Sequence, residues 1–169
     1  GLILRHGLTP TPLQFGGFQQ MALRPGTEDV AIVAGMETAL EIFHQDQNNY
    51  YSDVLLLRNH MENELLNRFP GLVINGVGAP RLPHVSNLSF SGVNRQSFLM
   101  AADIEGLAIS TGSACASGSS ELSPVLLAMG LEKNIVENSV RISLGVSNTH
   151  EEIEDAIEII SRVLNQLQQ

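Results

Sequence analysis

The sequence holds a single cysteine, Cys115, among 169 residues. An internal disulfide is therefore excluded, and so is a multi-cysteine metal site. The five histidines, His6, His44, His60, His84 and His150, lack metal-ligand spacing, and no metal site is expected from them. His44 and His150 read as solvated helix residues. Basic residues are also few: nine Lys and Arg stand against eighteen Asp and Glu, for a formal net charge of -9. A nucleic-acid footprint needs a clustered basic surface, so nucleic acid is not an expected partner. No apolar run approaches the ~20 residues that span a bilayer, and no membrane association is expected. Gly16-Gly17 and the Gly76/Gly78 pair lack the strand–turn–helix context of a nucleotide fingerprint. No internal repeat is visible. A chain with one thiol and no covalent staple suits the reducing cytoplasm.

What is present describes a globular α/β protein. Hydrophobic residues make up 43% and charged residues 16%, enough apolar content and length to bury a core. Residues 2–5 predict a short buried strand that opens without a cap and reads as a cut edge. It is too short for a secretory signal, whose apolar region needs about 7–15 residues. Residues 6–26, rich in Gly and Pro, predict an extended irregular segment. A helix is expected from near Thr27, with Glu28 and Asp29 in its first turn, where the helix dipole favours negative charge. A second helical pattern covers 52–68 and ends at Pro70-Gly71. Strands are expected at 72–75 and 85–90, a helix near 95–105, and strands near 107–110 and 140–144. Ser123-Pro124 is a good helix start and Gly130 a plausible stop. Thr149 and Glu152 form a capping box ahead of the apolar stripe Ile153, Ala156, Ile157, Ile160, Leu164 and Leu167. Alternating strands and helices give the α/β class.

Three residues are candidates for chemistry. Cys115 lies within 111–120, a stretch of small residues with little side-chain mass to anchor it. A lone cysteine is commonly a buried structural thiol, but these flanks favour an exposed one. No Lys, Arg or His lies within ten residues to lower its pKa, so an activating group must come from elsewhere. Arg141 sits in the apolar run Ser139–Gly145, where a guanidinium is expensive unless paired. Its planar fork suits either a substrate carboxylate or an internal ion pair, and the residues alone do not separate the two. Thr27 follows Arg24-Pro25-Gly26 at a helix start, where free amides and a hydroxyl suit a phosphate. A simple N-cap is the commoner situation, and Glu28 and Asp29 strengthen it. Asn87, Ser89 and Ser91 form a further polar group with a structural role by default.

Separated segments, in order, resemble the cysteine desulfurases. Ser110–Gly118 with Glu121 and Leu126–Leu131 resembles their active-cysteine loop and the helix after it. Val140–Gly145, Thr149 and Glu151–Ile153 resemble their C-terminal strand and helix. Gly16-Gly17, Arg24–Thr27 and Val33–Met36 resemble the segment that reaches across their dimer, and Pro83–Phe90 also fits. The long cysteine loop resembles the nitrogen-fixation and iron–sulfur-cluster branch.

The resemblance implies the C-terminal small domain of a fold-type-I pyridoxal-phosphate transferase over 48–169, with 1–47 as the tail of its large cofactor-binding domain. It implies a homodimer that takes sulfur from L-cysteine, releases alanine and passes the sulfur to an acceptor scaffold protein. Cys115 would carry that sulfur as a persulfide. Arg141 would hold the substrate carboxylate, and Thr27 would meet the cofactor phosphate of the neighbouring subunit. The family's cofactor lysine would fall upstream of Gly1, and the lone lysine here is Lys133. The chain by itself is therefore expected to bind no pyridoxal phosphate tightly and to be inactive. A non-catalytic sulfur-carrier or acceptor-docking module, or a related pyridoxal-phosphate lyase such as a selenocysteine lyase, is the alternative.

Overall fold

A computed structural model describes residues 2–112 and 121–168, the side chains of 46–50 excepted. The chain divides into two units, Gly1–Asp46 and Gln47–Gln169.

In the first unit, residues 2–5 form no strand and are exposed. An isolated strand has no ladder to satisfy its amides, so an apolar run alone does not make one. A single turn, Gln19–Ala22, follows, with φ of 51° at Gln20, 57° at Met21 and 61° at Ala22. Helix α1 spans Val30–Arg68. It begins later than expected, because Asp29 and not Thr27 takes the cap. The Asp29 carboxylate accepts from the Ile32 amide at 3.1 Å, and its carbonyl accepts from Val33. The expected break between two helices is also absent. Residues 45–52 are polar but contain neither Gly nor Pro, so nothing in them stops the helix.

The second unit is built on a three-stranded antiparallel sheet in the order β1-β2-β3, with β1 Leu72–Ile74, β2 Val85–Phe90 and β3 Ser139–Ser143. Asn87 pairs with Arg141 in the β2–β3 register. One face of the sheet carries Leu88, Phe90, Val140 and Ile142 into the core. There they join Val54, Met61 and Leu65 of α1 and Phe98 of α2 (Arg95–Ile104). Ile153, Ile157, Ile160 and Leu164 of α5 (His150–Leu167) complete the cluster. Each fully buried isoleucine or leucine here contributes about 1.5–3 kcal/mol. The expected capping box starts α5: Thr149 Oγ1 accepts from the Glu152 amide, and the Glu152 carboxylate accepts from the Thr149 amide.

The opposite sheet face is polar. Asn75 donates its amide to Asn87 Oδ1 at 2.6 Å and to Ser139 Oγ at 3.0 Å. Ser89 and Ser139 donate to the Ile135 carbonyl of α4 (Lys133–Glu137), a five-residue helix that the periodicity does not announce. Before it comes α3 (Pro124–Ala128), capped by Ser123 as expected. The strand expected near 107–110 is reduced to one bridge, Ser110 to Arg141. Among the described residues no helix is long and apolar enough to cross a membrane.

Candidate active site around Arg141

Arg141 lies mid-strand on β3 with its side chain on the polar face, exposed rather than buried. Strand alternation explains this: Val140 and Ile142 point to the core and Arg141 points away. The cost of placing a guanidinium in an apolar run is thus avoided by register. Among the described residues no hydrogen bond or ion pair engages the guanidinium, so an internal salt bridge does not account for it there.

The backbone of Arg141 anchors the approach to the cysteine segment. Its amide donates to the Ser110 carbonyl at 2.6 Å, and the Ser110 amide donates back at 3.0 Å. On the far side of the segment, the Glu121 carbonyl accepts from Arg95 Nη2 at 2.7 Å. Arg95 is buried at the start of α2 and also donates to the Val136 carbonyl at 3.1 Å. Ser110 is thus bonded to β3 and Glu121 to α2. Cys115 itself lies outside the described residues.

Thr27 is exposed in the first unit, two residues ahead of the Asp29 cap. The turn before it is local: Gly26, at φ 102°, donates to Gln19 Oε1, and Arg24 donates to the Pro25 carbonyl. Asn87 and Ser89, expected to be structural, serve as hydrogen-bond partners within the sheet.

A buried ionic cluster in the second unit was not anticipated. Glu62 of α1 receives Arg81 in a two-pronged contact at 2.7 and 2.9 Å and Ser86 at 2.7 Å, with Arg58 Nε at 3.8 Å. Burial pushes the Glu62 carboxyl upward. Hydrogen bonds from Arg81 and Ser86 and the two guanidinium charges outweigh that and hold it below the usual range. With both carboxylate oxygens held by Arg81 and one also by Ser86, Glu62 reads as a structural brace. The sequence signal was only Arg58 and Glu62 four apart on one helix face.

The family model for class-V aminotransferases matches residues 13–155. The chain belongs to the class-V aminotransferase family. This class-V chain is 34% identical over 166 residues to the cysteine desulfurase IscS of Dictyoglomus turgidum, covering 98% of the chain and 42% of that relative. Its structure is similar to a NifS-like protein from Rickettsia africae, with TM-score 0.81 and 27% identity over 94% of this chain and 41% of that one. A second NifS-like protein matches with TM-score 0.83 and 28% identity over 97% of this chain and 41% of that one. The expected fold, the C-terminal part of a fold-type-I pyridoxal-phosphate enzyme, is the one found. The chain spans about two fifths of the length of the relatives it matches.

The class-V family implies pyridoxal phosphate in the whole protein. The residues present do not by themselves fit that group. Lys133, the one lysine, is exposed at the first position of the short helix α4, and its amine makes no hydrogen bond or ion pair among the described residues.

Proposed function

We propose that this chain is the C-terminal part of a cysteine desulfurase that acts on L-cysteine in the cytoplasm. In the net reaction L-cysteine and the Cys115 thiol become alanine and a persulfide. The carbon–sulfur bond of the substrate breaks, a sulfur–sulfur bond forms, and a proton ends on the alanine methyl, so no outside oxidant is needed. The persulfide then serves an acceptor scaffold protein. Pyridoxal phosphate, held by the whole protein, supplies the electron sink for this chemistry.

The observation that carries the reading is Arg141, exposed, without a partner among the described residues, and hydrogen-bonded through its backbone to Ser110. Cys115 follows Ser110 by five residues, a reach of at most ~18 Å. A guanidinium so placed can hold the carboxylate of a substrate whose sulfur meets that thiol. The cysteine desulfurase names of the relatives support the same reading. In the assembled protein, a homodimer, residues 1–47 are the tail of the cofactor-binding domain and 48–169 the small domain. Thr27 then meets the cofactor phosphate of the neighbouring subunit.

The test uses the whole protein. Cys115→Ser abolishes alanine and persulfide formation. Arg141→Ala raises KM for L-cysteine by roughly 10- to 100-fold, the equivalent of a charge-assisted hydrogen bond of about 1.5–3 kcal/mol. An unchanged KM in Arg141→Ala sinks the assignment of that residue. Loading of Cys115 from an outside persulfide donor, with no alanine formed, supports the non-catalytic carrier instead.

A further inference from the structure

Helices α1 and α5 meet at three side chains that the proposed reaction does not use. His60 Nε2 of α1 lies 2.5 Å from Glu154 Oε1 of α5. His150 Nδ1, one turn before Glu154, lies 3.7 Å from the same oxygen. The two imidazole rings are 4.6 Å apart between centroids. One donor atom from each of the three residues lies within 4.8 Å of the others.

The chemistry of this group is that of a metal site. A four-coordinate ion with bonds of about 2.0–2.2 Å sets its ligand atoms roughly 3.3 Å apart. The three donors already bracket that spacing, and half-exposed side chains reach it by small rotations. His150 and Glu154 are an i,i+4 pair on one face of α5, which makes them a chelate on a rigid element. Two imidazoles and a carboxylate suit borderline divalent ions, zinc foremost. A glutamate carboxyl is ionised near neutrality and brings an anionic oxygen to the group. With side-chain exposures of 33% for His60, 42% for Glu154 and 66% for His150, solvent can deliver an ion and occupy a fourth position.

We propose that His60, His150 and Glu154 form a site for zinc or a similar divalent transition metal, with three protein ligands and one open position, bridging α1 to α5. The site is independent of the desulfurase reading and stands or falls without it. A plain helix–helix clamp would need only the His60–Glu154 contact; His150 separates the two roles.

The experiment titrates the untagged 169-residue chain carrying Cys115→Ser, which removes the competing thiol. Zinc is followed by calorimetry and cobalt by visible absorbance. The expected result is one equivalent bound, a cobalt spectrum without a thiolate charge-transfer band, and a metal-dependent rise in Tm. His150→Ala, an exposed position outside the helix cap, keeps the circular dichroism of the parent and weakens binding by roughly tenfold or more. His60→Ala and Glu154→Gln do the same. Failure to bind zinc, or binding unchanged in His150→Ala, overturns the proposal.

Discussion

Residues 2–45 and the unit that follows are both well supplied with apolar side chains, yet only the later one buries them. None of residues 2–45 is buried. Phe18 is 90% exposed and Val30, Ile32 and Val33 are largely exposed, whereas Phe98 is 1% exposed and Met61 and Leu65 are fully enclosed. The contrast runs along a single helix, since α1 carries both Val33 and Met61. Apolar spacing therefore identifies a helix and the face it offers; whether that face is covered depends on what the rest of the fold brings to it. Around the second half of α1 the sheet, α2 and α5 supply that cover.

The comparison breaks most easily at its two phenylalanines. Phe98→Ala should cost about 3–5 kcal/mol in urea unfolding of this chain, and Phe18→Ala about 0.5 kcal/mol or less. Equal costs would show that the first unit has a core of its own. A smaller effect is expected at the buried brace. Glu62→Gln should cost about 1.5–3 kcal/mol, because two charged donors lose their acceptor. The sign of its pH dependence follows from the depressed carboxyl. Its contribution is fully present above the ordinary glutamate value of 4.5 and is lost as pH falls through the lower folded-state value. Acid unfolding should thus be less steep in Glu62→Gln than in the parent as pH falls from 4.5 toward that lower value. The smallest contrast is between two helix caps. Thr149→Ala should cost about 1 kcal/mol of global stability, while Asp29→Ala should reduce local helicity and leave the main transition unmoved.

Much of the second unit was legible because its signals are local. Thr149 and Glu152 satisfy each other's amides, and Ser123 accepts from the Leu126 amide with Pro124 at the first helical position. Elements that depend on distant partners were not legible in the same way. The strand expected at 2–5 has the right residues but no ladder. The strand expected near 107–110 shrinks to the one residue, Ser110, that β3 accepts. The join through 45–52 was hidden because polar residues resemble a loop in composition while permitting a helix. For the site, the sequence singled out Arg141 but not its exposure, which follows from a register set by β2. His60 and His150 stand ninety positions apart, and no local spacing in the sequence announces their meeting.

The Asn75 side chain has a consequence beyond its own two hydrogen bonds. By grasping Asn87 on one strand and Ser139 on the next, it works as a key that fits a single alignment of the sheet. Sliding β3 by one position would pull Ser139 from that key and rotate Arg141 from open water into hydrocarbon. A carboxamide whose side-chain hydrogen bonds go to Asn87 and Ser139 thereby decides which way the candidate carboxylate-holding side chain points.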